Sequence, residues 1–284
     1  MALTTIGLMA LLGCFTGFMA GLLGIGGGMI ITPFLIMLIP SSLIPHDHIV
    51  HVAIATSLAT IAFTSLSSVR AHHKRGAVLW NVVASVAPGI LVGAVVGAQI
   101  AGWLPTFWLS LIFAGFVGFS AFKMFLNKSP RPDRNLPGTM GKFFMGIAIG
   151  ILSALVGAGG GFISVPWMVW CNVKMQNAVA TSAAFGFPIA LFGTIGYIIS
   201  GWNVSGLPPW PIDLGYICIP ALFSVAITSV LFAPLGAKVA HSIDTKPLKK
   251  IFACLLCFVC LYMIRQAYLR SEEHTSELQS RQVI

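Results

Sequence analysis

The chain has 284 residues, of which 57% are hydrophobic and only 8% carry a formal charge. Soluble domains usually contain about 25% charged residues, so this composition excludes an ordinary soluble core and predicts an integral membrane protein. The formal net charge is +9, but the basic residues lie in short loops between apolar segments, so they indicate membrane topology and not binding to nucleic acid.

Long apolar segments follow one another along the chain, and most approach the ~20 residues that an α-helix needs to cross a bilayer. The alternating ten-residue segments of a membrane β-barrel are absent. The long segments occupy residues 2–23, 49–69, 78–100, 107–125, 179–199, 212–234 and 248–264, and shorter apolar segments occupy residues 29–40 and 162–171. The sequence therefore predicts an all-α, multi-pass membrane protein.

A glycine-rich stretch occurs twice within these segments, as GLLGIGGGMIITPF at residues 21–34 and as ALVGAGGGFISVPW at residues 154–167, an offset of 133. Two later matches keep the same order: Ala-Thr-Ser at 55–57 and 180–182, and Gly-Ala at 97–98 and 236–237. Ordered matches of this kind indicate an internal repeat. Each half is predicted to hold a long first segment, a glycine-rich break, a shorter segment and three further helices.

The repeat divides the chain into a first membrane repeat at residues 1–126, a polar cytoplasmic linker at 127–142 and a second membrane repeat at 143–270. Residues 271–284, SEEHTSELQSRQVI, differ in composition from everything before them and resemble a translated cloning or sequencing adapter. We predict that this polar tail is non-native and exclude it from the fold.

Basic residues orient the two halves. Clusters at residues 70–75, 128–142 and 238–250 are predicted to be cytoplasmic, whereas the loops near Pro105 and at 200–211 lack Lys and Arg and should face outward. The helix bearing Thr56 then ends inside, and its counterpart bearing Thr181 ends outside. This is an inverted-topology repeat, with about eight transmembrane helices and two additional short half-helices after the glycine-rich breaks.

Four glycines in each stretch are predicted to bind the substrate. Clustered glycine disfavours a helix, so the backbone should break there and expose N–H groups at the start of the next segment, where the helix dipole attracts an anion. The two breaks of an inverted repeat can converge near the middle of the bilayer. The predicted ligands are Gly24, Gly26, Gly27, Gly28, Gly157, Gly159, Gly160 and Gly161. The alternative is that these glycines only permit close helix packing.

The Ala-Thr-Ser motifs place Thr56, Ser57, Thr181 and Ser182 inside apolar helices. Their hydroxyl groups could complete the hydrogen-bond shell of an oxyanion at the glycine breaks. Equally, Ser and Thr in membrane helices bond to their own i−4 carbonyl or to a neighbouring helix. The sequence leaves both interpretations open.

Acidic residues are few. Outside the tail they are Asp47, Asp133, Asp213 and Asp244, all in loops or at segment ends. This distribution argues against a cation site or proton relay built from carboxylates in the membrane, and against an aspartyl or zinc-dependent intramembrane enzyme.

Histidine and cysteine give no stronger signal for a cofactor. His46, His48 and His51 share a loop with one carboxylate and no cysteine, so we expect interfacial side chains and no metal site. The six cysteines fall mostly within apolar segments, where free cysteine packs as a small hydrophobe. We therefore expect no metal and no cofactor.

The paired motifs at residues 21–33 and 154–166, each followed by an Ala-Thr-Ser helix, resemble the TauE/SafE family of membrane permeases. The stretches GAQIA at 97–101 and GAKVA at 236–240 fit this family too, and the resemblance covers about residues 5–268. It implies a multi-pass transporter of the bacterial inner (plasma) membrane with about eight transmembrane segments, in a family named for export of sulfite and related sulfur-containing anions, including sulfonates. The loop at 41–51 has no counterpart of equal length in the second half.

Together these observations predict a secondary transporter, and not an enzyme, for a small sulfur-containing oxyanion such as sulfite or an organosulfonate, with export as the expected direction. Its expected partners are this anion and the lipid bilayer, with no nucleic acid, and a homo-oligomer is left open. A carrier of another organic anion is the first alternative, because glycine turns recognise negative charge without reading the rest of the molecule. A membrane scaffold without transport is the second.

Overall fold

The structure is a computed structural model that describes residues 3–24, 27–40, 44–45, 47–126, 135–202, 204, 214–242, 252–265 and 268. Within these ranges the secondary structure is helical, with no β-strand beyond an isolated bridge between Leu214 and Ile217. The predictions for Gly26, His46, residues 127–134 of the linker and the tail at 271–284 lie outside the described residues.

The described residues form ten helices in the predicted order, and the described part of the last one is shorter than the long segment predicted at residues 248–264. They are α1 (Leu3–Leu23), α2 (Gly28–Leu38), α3 (Ile49–His73), α4 (Trp80–Trp103), α5 (Thr106–Leu126), α6 (Thr139–Val156), α7 (Gly161–Trp170), α8 (Met175–Gly201), α9 (Ile219–Ala240) and α10 (Phe252–Arg265). Seven of them are long and apolar enough to cross a membrane, whereas α2, α7 and α10 are shorter. The multi-pass, all-helical prediction is confirmed at this level.

The boundary between the halves is shorter than the sequence predicts. Helix α6 begins at Thr139, so it includes the last four residues of the stretch predicted as linker. Gly138 precedes it in a non-helical conformation and supplies no side chain.

Glycine faces bring helices of the two halves into close contact. Helix α1 packs mainly against α9, and α4 packs mainly against α6. A Cβ atom added at Gly17 would overlap the backbone of Ser229, and one added at Gly150 would lie 2.6 Å from the carbonyl oxygen of Ile90. Larger residues at these two positions would push the helices apart, as in other membrane helix pairs that meet through small residues.

A row of small residues on α4 makes such a contact. Each of Gly89, Gly93 and Gly97 lies against the backbone of α6, where an added Cβ would lie too close to Phe143, Ile147 or Ile151. The spacing of four residues keeps all three glycines on one face of the helix.

Helices α3 and α8, which carry the two Ala-Thr-Ser motifs, cross at the centre of the molecule. Leu58 of α3 lies against Gly193, whereas Ser65, further along α3, lies against Gly186. As residue numbers rise on α3 they fall on α8, so the two helices run antiparallel. Helix α3 is also the most buried of the long helices: 83% of its apolar 18-residue stretch lies inside the protein.

Large apolar side chains cover the outer surface. Leu11, Trp103, Phe122 and Leu231 are all more exposed than buried, and they lie on four different long helices. Exposed apolar area of this extent is typical of a surface covered by lipid.

The close contact at Gly150 makes a stability prediction. Gly150→Leu should separate α6 from α4 and lower the free energy of unfolding by more than about 2 kcal/mol, because the new side chain meets backbone that cannot rotate away. The measurement is thermal unfolding in detergent, followed by tryptophan fluorescence. Gly115→Leu is the matched control, since nothing lies within 4 Å of a Cβ added there. Equal midpoints for the two variants would contradict the close-packing interpretation.

Candidate functional site

Two glycine turns with matching φ angles precede α2 and α7. The described residues of the first glycine turn are Gly24, Gly27 and Gly28, and the second glycine turn comprises residues 157–161. Gly24 and Gly27 have φ angles of 67° and 75°, and their counterparts Gly157 and Gly160 have φ angles of 64° and 77°. These are left-handed values that side chains with a Cβ rarely adopt, so the repeated glycines are required by the backbone itself.

The second glycine turn leaves backbone N–H groups free at the start of α7. The Gly160 carbonyl accepts hydrogen bonds from the N–H groups of Ile163 and Ser164, at 3.1 and 3.0 Å. Among the described residues, no hydrogen bond uses the N–H groups of Gly161 and Phe162. Unpaired N–H groups at a helix N-terminus form a positive end suited to an anion.

The first glycine turn repeats this arrangement at the start of α2. The Gly27 carbonyl accepts hydrogen bonds from the N–H groups of Ile30 and Ile31. Gly27 precedes the helix with ψ of −11°, and Gly160 precedes α7 with ψ of −7°. Two equivalent helix N-termini are therefore present, one in each half of the chain.

The two glycine turns lie against each other. A Cβ atom added at Gly28 would overlap the carbonyl oxygen of Gly157 and would lie 2.7 Å from a methyl group of Ile61. Only glycine at position 28 allows this approach. Convergence of the two breaks at the middle of the bilayer stays a prediction.

Each glycine turn is hydrogen-bonded to the long central helix of the other half. Ser57 of α3 donates to the carbonyl of Gly157 at 3.0 Å, and Ser182 of α8 donates to the carbonyl of Gly24 at 3.0 Å. Both serines are fully buried. Since Ser57 and Ser182 occupy equivalent positions in the repeat, as do Gly24 and Gly157, the two bonds form a reciprocal pair.

A second reciprocal pair joins the neighbouring threonines to helix N-termini. The N–H of Cys218, which precedes α9, donates to the Thr56 hydroxyl at 2.9 Å, and the N–H of Leu79, which precedes α4, donates to the Thr181 hydroxyl at 3.0 Å. These are contacts with neighbouring elements of the protein, one of the two interpretations that the sequence leaves open.

The four hydroxyl groups differ in what they can still offer a ligand. Ser57 and Ser182 have used their single hydrogen on a carbonyl, whereas Thr56 and Thr181 accept a bond and keep theirs. An anion needs donors, so the threonine hydroxyls are the better candidates at this site. Binding of substrate by any of the four stays a prediction.

Two further hydroxyl groups lie at the glycine turns. Thr32 and Ser153 are fully buried, and neither oxygen has a hydrogen-bond partner. Thr32 Oγ1 lies 2.9 Å from where a Cβ on Gly157 would be, and Ser153 Oγ lies 3.1 Å from the equivalent point on Gly160. Ser153 was not among the predicted site residues. Its one signal in the sequence is its position four residues before Gly157, in the last turn of an apolar helix.

Aromatic rings close one side of the site. The ring of Tyr216 stacks on His51 with a centroid separation of 5.2 Å and lies 5.9 Å from His48 and 6.4 Å from Tyr197. Burial lowers the pKa of His48, and the Asp47 carboxylate partly opposes this effect. His51 Nε2 lies 3.0 Å from the Ala101 carbonyl, so this ring joins α3 to the end of α4.

The other side of the site carries the basic residues. Arg70, Arg75, Lys174 and Lys238 are exposed near the end of α3, the start of α8 and the end of α9. We call this the basic end. The predicted cytoplasmic clusters that the structure describes therefore lie on one side of the molecule, and the aromatic cluster lies on the other.

A histidine pair ties α3 to α9 at the basic end. His72 Nε2 lies 3.0 Å from the Gly21 carbonyl, so it must carry a hydrogen and donate. In neutral His72, Nδ1 then accepts from His241 Nε2 at 3.1 Å. Burial lowers the pKa of His241, and the nearby Arg75 cation lowers it further.

Negative charge is nearly absent around the site. Asp47 is the only acidic side chain among the described residues, and it lies in the loop before α3. An anion between the glycine turns would therefore meet N–H groups, hydroxyl groups and apolar walls, without repulsion from a neighbouring carboxylate.

Comparisons with known proteins agree with this picture. A family model described as "Sulfite exporter TauE/SafE" matches residues 9–263. A "Probable membrane transporter protein" of Haemophilus influenzae is 34% identical over 92% of this chain and 98% of its own length. Another, from Methanocaldococcus jannaschii, is 27% identical over 90% of this chain and 94% of its own length. These relatives are named as transporters and not as enzymes, and no solved structure matches the chain.

The reciprocal serine bonds make a prediction about stability. Ser57→Ala and Ser182→Ala should each lower the free energy of unfolding by about 1–2 kcal/mol, because each leaves a buried carbonyl without its donor. Ser120→Ala is the matched control, since this buried serine donates only to the Phe116 carbonyl of its own helix. Thermal unfolding in detergent measures the difference. The interpretation fails if the control loses as much stability as the other two variants.

The histidine pair makes a prediction about pH. Because the pKa of His241 is lowered in the folded protein, the unfolded chain binds the extra proton first. Stability should therefore be complete above the ordinary histidine pKa of about 6.5 and decrease as the pH falls below it. His241→Gln should show a smaller decrease between pH 7.5 and 5.5 in thermal unfolding. Parallel pH profiles for the variant and the unaltered chain would exclude this contribution of His241.

Proposed function

This chain belongs to the sulfite exporter TauE/SafE family, and from that membership and the geometry of the site we propose that it is a secondary transporter of small sulfur-containing oxyanions. Sulfite and simple organosulfonates are the proposed substrates, and export is the proposed direction. One observation carries the proposal: two equivalent glycine turns that lie in contact, each at the start of a short apolar helix.

The proposed binding site lies where the two glycine turns meet. The N–H groups of Gly161 and Phe162, with those at the start of α2, would donate to the oxygens of the anion. Hydrogen bonds to a charged acceptor are worth about 1.5–3 kcal/mol each, so a few of them can replace part of the hydration shell. Because no cationic side chain takes part, the anion would be bound weakly enough to be released again.

Recognition of the oxyanion would be completed by neutral donors. The Thr56 and Thr181 hydroxyls keep a hydrogen, and the partnerless hydroxyls of Thr32 and Ser153 lie at the turns. A sulfite or sulfonate group presents three oxygens in a cone, which suits donors that approach from two turns. An apolar surround would favour an anion with little other polar surface.

We propose that the two halves form inverted repeats and that eight helices cross the membrane, with α2 and α7 as half-helices. The antiparallel crossing of α3 and α8 supports the inversion, and so do the matched hydrogen bonds of the two Ala-Thr-Ser motifs. Helices of 11 and 10 residues are too short to span a bilayer core of about 30 Å. The apolar segment at residues 248–264, of which the structure describes 252–264 as part of α10, would provide the eighth crossing.

The proposed location is the bacterial inner membrane, with the basic end in the cytoplasm. Arg70, Arg75, Lys174 and Lys238 all lie at this end, as the positive-inside rule requires. Alternating access would arise when one half moves against the other around the glycine turns. The direct serine and threonine contacts between the halves would then have to break or shift during each cycle.

The transport test uses proteoliposomes and labelled sulfite. The unaltered chain should show saturable sulfite flux, and Gly160→Leu should reduce it by about a hundredfold, because a side chain cannot adopt φ of 77° there and would fill the site. Gly115→Leu, on an exposed face of α5, is the control that should retain flux. Size-exclusion chromatography and circular dichroism establish that both variants are folded.

Three outcomes would change the proposal. Flux of an organosulfonate or carboxylate without flux of sulfite would replace the substrate and keep the carrier. Normal flux in Gly160→Leu would remove the second glycine turn from the binding site. A folded chain that moves none of these anions would contradict transport and favour a scaffold role.

A further inference from the structure

We propose that a cavity between α1, α3 and α8 is the route by which the anion passes between the glycine turns and the basic end, and that the Ser68 hydroxyl contacts the anion on this route. The inference rests on the proposed transport function. It goes beyond that function because it assigns a path, a further contact residue and the side of the site that is open in this structure.

The cavity lies beside both glycine turns. It has a volume of about 10 Å³, room for about one water molecule, is partly open, and is lined by six small residues, namely Ala20, Gly24, Ser65, Ser68, Ala183 and Gly186. Gly24 belongs to the first glycine turn. Gly186 lies near the second, since a Cβ added there would be 3.8 Å from the carbonyl oxygen of Gly159. An ion that leaves the turns toward the basic end would pass through this space as the helices around it move apart.

Ser68 is the polar group that the cavity leaves unexplained. Its side chain is buried, with 1% of its surface exposed, and its Oγ atom has no hydrogen-bond partner within the part of the chain that the structure describes. A buried hydroxyl without a partner costs free energy, so its place in a cavity indicates a ligand that supplies the missing bond. Ser65 adds a second hydroxyl, although it also donates to the Ala62 carbonyl of its own helix at 3.2 Å.

The equivalent space on the other side of the glycine turns is filled. By the 125-residue offset between α3 and α8, Ala183 corresponds to Leu58 and Gly186 corresponds to Ile61. Both of these large residues are fully buried. Leu58 lies 3.1 Å from where a Cβ on Gly193 would be, and Gly193 corresponds to Ser68. At equivalent positions of the repeat, two large apolar side chains therefore fill the side of the turns that faces the aromatic cluster, and a cavity with hydroxyl groups lies on the side that faces the basic end.

The chemistry of the path suits an oxyanion. The residues that line it include two hydroxyl groups, of which Ser68 keeps a free hydrogen, and no charged side chain, so an anion would be held weakly and could pass on. Arg70 and Arg75 lie exposed beyond it at the basic end, where positive charge raises the local concentration of anions. The other side of the turns ends in the aromatic cluster around Tyr216, which carries no such charge.

Accessibility distinguishes the two sides directly. Ser65→Cys and Ala190→Cys place a thiol at equivalent positions of the repeat, and both parent residues are buried. Membrane vesicles of each orientation are treated with a methanethiosulfonate reagent bearing a sulfonate group, and peptide mass spectrometry locates the label among the six native cysteines and the new one. We expect Ser65→Cys to react at least about tenfold faster than Ala190→Cys, only when the basic end faces the reagent, and methanesulfonate to slow the reaction.

The outcomes separate the route from the transport function. Equal reaction at both positions, or reaction at neither, overturns the route whatever the flux. Reaction at Ser65→Cys that methanesulfonate does not slow overturns the anion contact. If Ser65→Cys reacts with the thiol reagent and methanesulfonate slows that reaction, but the chain moves no anion in proteoliposomes, the binding path is supported and transport is contradicted.

Ser68 is tested by removing its hydroxyl. Ser68→Ala should raise the KM for the transported anion by about two- to tenfold, the equivalent of one neutral hydrogen bond. The thermal midpoint should stay the same or rise, because the hydroxyl has no protein partner to lose. Ser120→Ala, remote from the cavity, should leave KM unchanged. An unchanged KM in Ser68→Ala, or a loss of stability that matches the loss of flux, would overturn the assignment.

Discussion

The hydrogen bond from a serine of one half to a glycine-turn carbonyl of the other half is the interaction around which this molecule is organised. Ser57 holds the turn that begins α7, and Ser182 holds the turn that contains Gly24. A turn in an apolar interior must satisfy its carbonyl groups within the protein, because no water is available. Each half therefore completes the backbone of the other, and neither glycine turn is explained by the sequence around it alone.

This arrangement is also the basis on which the proposed site would hold an anion without charged residues. The two serines donate hydrogen bonds to the carbonyls of Gly157 and Gly24, and the N–H groups at the starts of α2 and α7 are left as the local positive ends. Asp47 is the only acid among the described residues and lies away from the turns. Polarity from backbone and hydroxyl groups costs less to bury than an ion pair, and in the proposed carrier it would bind an anion without trapping it.

Much of the fold could be predicted from the sequence, because apolar length and glycine position are local properties. The order of the helices and the two breaks follow from residue type and spacing. The site was predicted less completely. The hydroxyl of Ser153 and the cavity at Ser68 were missed, since no local pattern separates a serine that bonds its own helix from one left without a partner.

The sequence by itself determined that the chain is a membrane protein with a duplicated glycine break, since composition and the left-handed backbone that only glycine adopts readily need no distant partner. Only the tertiary structure decided which hydroxyls serve the fold and which stay available, and which side of the glycine turns is filled. Equivalent motifs gave no reason to distinguish Leu58 from Ala183. That difference exists only where α3 and α8 cross, because side-chain volume becomes a barrier or a passage only against a packed neighbour.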